Sequence, residues 1–201
     1  PSRLMRRGGF YTSSPFQPLK SWHFRKVWSI LFAPLLAEVF VALLNRDEKS
    51  RIIEKLGEFI PHANLLGIRL ESIKGDALTL RLPYQASLVG NPETGALHGG
   101  AVTVLLDQTM GLSAVCSDSM QPSITPTLDL RIDHLRSAPP GHDLLATARV
   151  YHASRRIVFV EGIAWYESPQ EPVARAMGSW VRIAEVDLTR MLDPRQGEAQ
   201  Q

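Results

Sequence analysis

Cysteine is nearly missing from this chain. Cys116 is the single one in 201 residues, which excludes a disulfide framework and any cysteine-rich zinc site and suits a reducing, cytoplasmic setting. Acidic residues are missing from the first thirty positions. There Arg3, Arg6, Arg7, Lys20, Arg25 and Lys26 give +6, against +2 for the whole chain, so residues 31 to 201 carry −4. A mildly acidic body excludes a nucleic-acid-binding core. Internal repeats are absent, and the length allows one ordinary domain with an added segment rather than two enzymatic domains. Histidines 23, 62, 98, 134, 142 and 152 show no H-x-x-x-H spacing, so no metal and no cofactor is expected.

What is present begins with an apolar run. Val27 to Leu44 holds 15 apolar residues in 18, interrupted by Ser29, Pro34 and Glu38. A membrane-spanning helix needs about 20, and a central carboxylate opposes insertion. Three readings stay open: a helix packed on the protein or its partner, a peripheral membrane contact through residues 27–44, and a span or targeting segment. Next, Asn45 with Glu48 forms a capping-box pattern, and Ile52, Ile53, Leu56, Phe59 and Ile60 follow at helical spacing up to Pro61.

The rest reads as a sheet with one long helix. Ile68–Ser72 and Ala77–Leu82 alternate around Lys74-Gly75-Asp76, which predicts a hairpin. Residues 83–96 read as a loop. The small and aliphatic run 98–116 is too long for a strand and predicts a buried helix. Four more strands are expected near 124–135, 143–153, 157–167 and 173–184, with Leu128, Leu130 and Ile132 alternating against Asp129, Arg131 and Asp133 in the first of them. This order predicts an α+β domain, an antiparallel sheet around a long central helix, with an extra N-terminal helical segment. The expected divisions are a basic and apolar extension over 1–60, the domain over 61–185, and a polar tail over 186–201.

Chemistry concentrates between Gly90 and Gly111. His98-Gly99-Gly100 stands where a loop becomes a helix, and the first amides of a helix lack intrahelical partners and favour an anion or a developing oxyanion. The plainer reading is that the glycines relieve crowding at a turn. Asp107 sits among Val104, Leu105, Leu106 and Met110 with no basic residue three or four positions away. It is either a solvent-facing residue or a base or nucleophile aimed into a site. Seven residues separate Gly100 from Asp107, about 10 Å along a helix, so one carbonyl cannot meet both in a single chain. If both act, a second copy packed antiparallel must supply one of them, which predicts a two-fold dimer with two composite sites.

The string N-P-E-T-G-A-L-H-G-G, then L-L-D, then T-P-T-L-D-L-R-I-D-H-L-R-S-A, resembles the hotdog-fold acyl-CoA thioesterases of the PaaI type over about residues 60–184. The resemblance implies a hotdog fold, hydrolysis of an acyl-CoA to free acid and coenzyme A, and a homodimer or dimer of dimers. It implies Asp107 as base or nucleophile, Gly100 or Gly99 as the amide donor, His98 as a loop-ordering or polarising group, Asn91 as a water- or thioester-orienting amide, and Thr127 as a hydroxyl beside the water. Separately, Ser154, Arg155 and Arg156 form a strand-to-strand turn that is either solvated or a holder of the coenzyme A phosphates. The alternative function is a non-catalytic hotdog module that binds acyl-CoA as a sensor; hydratase chemistry on the same fold lacks its usual Asp/His pattern here.

Overall fold

The computed structural model describes residues 46–58, 60–116 and 123–185. The apolar run 27–44, the capping residue Asn45 and the tail from 186 lie outside the described residues. Among the described residues no helix is long and apolar enough to cross a membrane.

Helix α1 (Arg46–Glu58) leads into the short α2 (Pro61–Leu65). Pro61 does more than end the first helix. It takes a first-turn position of the second, where its missing N–H is one that a helix cannot use. Strands β1 (Arg69–Lys74) and β2 (Ala77–Leu82) form the expected hairpin. Its two-residue loop, Gly75-Asp76, has Gly75 at φ +62, the sign that a type II′ turn needs at that place.

Residues 83–96 are more ordered than the sequence suggests. A 3-10 turn (Ala86–Leu88) and a small hairpin, β3 (Val89–Asn91) with β4 (Ala96–Leu97), occupy the stretch. The long helix α3 (Gly99–Val115) follows. Then come β5 (Ser123–Ile124), β6 (Thr127–His134), β7 (Leu144–Ala153), β8 (Ile157–Trp165), β9 (Ala174–Val181) and β10 (Ala184–Glu185). β5 pairs only with β10, split from the longer strands at Thr125-Pro126 and Arg182-Ile183.

The main sheet runs β1-β2-β7-β8-β9-β6, antiparallel throughout. α3 lies on one face and packs against β2, β6, β7, β8 and β9. Alternation explains the pairing of surfaces: Val158, Val160 and Ala164 of β8 and Ala174, Ala176 and Trp180 of β9 point inward to meet Leu105, Leu106 and Met110, all of them buried. Burying a leucine is worth roughly 1.5–3 kcal/mol. Small residues let the helix come close; a Cβ on Gly162 would stand 3.1 Å from the Met110 side chain.

β6 ends the sheet, and here the expected alternation fails. Leu130 and Ile132 are partly buried, but Leu128 is 55% exposed. The cause is a bulge: Thr127 pairs with Trp180 and Asp129 with Ser179, so Leu128 is the extra residue and its neighbours change faces. Gly178 on β9 makes room, since a Cβ there would lie 2.6 Å from the Asp129 carbonyl oxygen.

Candidate active site

The bulge aims Thr127 at the helix. Its hydroxyl donates to Oδ1 of Asp107 at 2.9 Å. Asp107 is half-buried at the middle of α3, on the side of that helix facing the β6 edge. It is neither fully solvated nor sunk among aliphatic side chains, and it has a specific hydrogen-bond partner. A hydroxyl on one oxygen leaves the other to accept a proton from elsewhere.

The helix start is built from the loop before it. His98 is the N-cap of α3, and its Nδ1 accepts from the Gly100 amide at 2.9 Å. The Ala101 amide donates to the His98 carbonyl at 2.9 Å, and the His98 amide donates to the Leu88 carbonyl at 2.8 Å. Gly90 packs against this cap so closely that a Cβ would stand 2.7 Å from the His98 Cα. Gly99 differs from its neighbours. Among the described residues its N–H has no acceptor, and the residue is exposed. Of the two glycines, Gly99 therefore has the free amide.

One residue that the sequence reading passed over belongs here. The His134 ring lies beside Gly99, with Cε1 and Nε2 at 3.5 and 3.8 Å from the point a Cβ would occupy. It had been considered only for metal-ligand spacing; its place at the end of β6, after the T-L-D-L-R-I-D run, was the signal that could have found it. No group of His, Cys, Asp and Glu suited to a metal occurs among the described residues.

The other candidates are placed as follows. Asn91 is exposed in the β3–β4 hairpin, where its Oδ1 accepts from the Glu93 amide at 3.0 Å. Ser154 closes the β7–β8 turn, its Oγ donating to the Ile157 carbonyl at 3.0 Å. Arg155 and Arg156 are exposed at that turn. Ile157 pairs with Val181, whose amide donates to the Pro126 carbonyl at 3.1 Å. The arginine turn thus shares the sheet end that carries Thr127, two strand spacings or roughly 10 Å away.

Asp107 and Thr127 come together, as do His98 and Gly100, and Gly99 with His134. The two ends do not. α3 runs antiparallel to β6, so Gly99 neighbours His134 at one end of the strand and Asp107 meets Thr127 at the other, about 12 Å apart along the helix.

A six-stranded antiparallel sheet curled on one long helix, with an acid and a helix-start amide on its open edge, defines a hotdog fold of the PaaI type. Comparison with known proteins agrees. The profile of the Thioesterase superfamily matches residues 94–173. A Halobacterium salinarum protein provisionally named as an esterase is 30% identical over 120 residues, spanning 58% of this chain and 78% of the relative. A Pseudomonas aeruginosa crystal structure is similar at TM-score 0.61 and 37% identity, covering 67% of this chain and 99% of the other. The Escherichia coli PaaI protein from the phenylacetic acid degradation operon matches at TM-score 0.61 over 70% of this chain and 97% of its own; at 21% identity that likeness speaks for the fold. The chain belongs to the thioesterase superfamily, whose relatives point to hydrolase chemistry.

Proposed function

We propose that this protein is an acyl-CoA thioesterase whose site forms between two copies of the chain. The free Gly99 amide and the Thr127-held carboxylate of Asp107, at opposite ends of one open edge strand, carry the reading. β6 is eight residues long and has no neighbour on its outer side among the described residues. An exposed edge of that length invites another strand. Antiparallel pairing with the same strand of a second copy exchanges the ends, bringing Asp107 and Thr127 of one protomer to the partner's Gly99 and the partner's His134.

The chemistry then follows. The thioester carbonyl oxygen accepts from the partner's Gly99 N–H, which stabilises negative charge as it develops. A water gives its proton to Asp107 and attacks the carbonyl carbon. The tetrahedral intermediate breaks its carbon–sulfur bond, and the proton held by Asp107 goes to the departing thiolate. Thr127 fixes the orientation of the carboxylate, Asn91 orients the thioester from the loop, and His98 keeps the helix start in shape. Arg155 and Arg156, with Ser154 shaping their turn, meet the coenzyme A phosphates.

Mixing two inactive variants tests this. Asp107→Asn lacks the base and Gly99→Pro lacks the amide hydrogen. Random exchange of subunits makes half of the dimers mixed, each with one intact site and one doubly broken site, so about a quarter of parental thiol release returns. No recovery from subunits shown to exchange refutes the composite site. Tight acyl-CoA binding with no thiol release by the parent favours the sensor.

A further inference from the structure

Trp180 stands between the two elements that carry the acid and its hydroxyl partner. In the β6–β9 ladder it lies opposite Thr127, whose hydroxyl donates to Asp107 at 2.9 Å. Trp180 is 1% exposed, and its six-membered ring covers Gly178, where a Cβ would lie 2.8 Å from Cη2. Its Nε1 is turned to α3. Among the described residues Nε1 is the one atom within 4 Å of the point where a Cβ on Gly111 would stand, at 3.4 Å. Gly111 follows Asp107 by four residues, so the two share a helix face, with Cβ positions about 5–6 Å apart. An indole nitrogen only donates. The Trp180 N–H has no acceptor among the described residues, and a buried donor without one is costly.

We propose that the gap left by Gly111 holds the attacking water, and that Trp180 is a positioning residue that donates to it. The proposal rests on the thioesterase reading and adds to it what fixes the nucleophile. Two hydrogen bonds through a single water span about 5–6 Å. A water that accepts from Nε1 is therefore placed to donate to the Asp107 oxygen that Thr127 leaves open. Its oxygen takes the indole hydrogen on one lone pair and keeps the other for the carbonyl carbon. One water hydrogen goes to Asp107, the second stays through the attack, and the indole N–H is never transferred. A side chain at position 111 would fill the gap. That gives glycine, a poor helix former, a reason to stand inside α3.

The test measures thiol release by the parent, Gly111→Ala, Trp180→Phe and the double variant, on whichever of acetyl-, octanoyl- and benzoyl-CoA the parent hydrolyses fastest. Gly111→Ala puts a methyl group where the water stood and adds a better helix former, so Tm stays level or rises while kcat falls about tenfold and KM holds. Trp180→Phe keeps an aromatic ring and loses the donor; kcat falls about tenfold, the worth of one hydrogen bond. Both changes remove the same water, so the double variant is no slower than the slower single one. A Gly111→Ala variant with the parent's kcat overturns the proposal. So do losses that multiply in the double variant, or a loss that higher protein concentration restores, which traces to subunit association. NMR of protein isotope-labelled at tryptophan gives a second readout that needs no hydrolysis. The Trp180 indole proton, assigned by its loss in Trp180→Phe, shows a cross-peak to a bound water, and Gly111→Ala abolishes it. A parent without that cross-peak overturns the proposal. If the cross-peak is present and the parent hydrolyses none of the three thioesters, the thioesterase reading fails while the water site stands.

Discussion

Replacing Gly99 by proline isolates one hydrogen. Gly99 is the first residue of α3 and its φ is not positive, a position where proline is favoured because its absent N–H leaves no helical bond unmade. The residue before a proline must be extended, and His98 already has φ −64 and ψ 136. The new side chain meets the His134 ring at ordinary contact distance, 3.5 Å from the Cβ. The fold should therefore tolerate Gly99→Pro, with a Tm within a few degrees of the parent. Catalysis should not. Loss of one oxyanion donor costs about a hundred- to a thousandfold in kcat, roughly 2.7–4 kcal/mol. The ring carbon also occupies the direction in which the hydrogen pointed, so the lower figure is a minimum. The assay is thiol release from octanoyl-CoA at saturation, with thermal melts alongside. A folded variant with kcat within threefold of the parent would refute the assignment of this amide.

Two further predictions concern side chains that hold others in place. Thr127→Val keeps the shape but deletes the 2.9 Å bond to Asp107. A hydrogen bond to a charged group is worth about 1.5–3 kcal/mol, so Tm falls by several degrees, kcat drops by about one to two decades as the carboxylate loses its fixed orientation, and Thr127→Ser restores both; an unaffected kcat in the valine variant contradicts the positioning role. Arg81 donates twice to Glu71, at 2.7 and 2.8 Å, and once to Asp143, at 3.0 Å. The Glu71 carboxyl is held below its usual range chiefly by that bond, and Asp143 chiefly by the Tyr84 amide and then by Arg81. Both carboxyls bind protons less readily folded than unfolded. Their stabilisation is therefore present above the ordinary carboxylate range, about pH 4, and fades as pH falls through their lowered values. For this partly exposed network Arg81→Met costs about 1 kcal/mol at pH 7, and urea melts should show the gap from the parent closing toward pH 3. A gap that widens in acid rejects the account.

Much of the architecture was legible because its periodicities are strong. The run after His98 was too long for a strand, and the strands expected near 143–153, 157–167 and 173–184 are present, with β8 and β9 alternating residue by residue. What escaped was local. The bulge at Leu128 turns on one glycine across the ladder, Gly178, and no pattern within β6 announces it. A strict alternation would have pointed Thr127 away from the helix; the family resemblance implied only a hydroxyl beside the water, and the bond to Asp107 was not foreseen. The capping bond from Gly100 to His98 was equally hidden, since the choice between two adjacent glycines depends on which amide the imidazole claims. The contact of His134 was hidden for a different reason: its neighbour is Gly99, thirty-five positions earlier, and only the antiparallel course of α3 and β6 joins them.

If two copies pair through β6 as proposed, the charges along that strand bear on how they meet. Asp129, Arg131 and Asp133 recur at every second position. When the strand meets its own copy centred on Leu130, each Asp129 faces the other subunit's arginine; sliding by two residues to centre on Arg131 sets arginine against arginine and acid against acid, which is unfavourable. Centring on Ile132 pairs Arg131 with the other subunit's Asp133 equally well, so the charges bar only the setting between these two; in the one centred on Leu130, a reversed charge at position 131 should mate poorly with itself yet accept a companion chain reversed at 129.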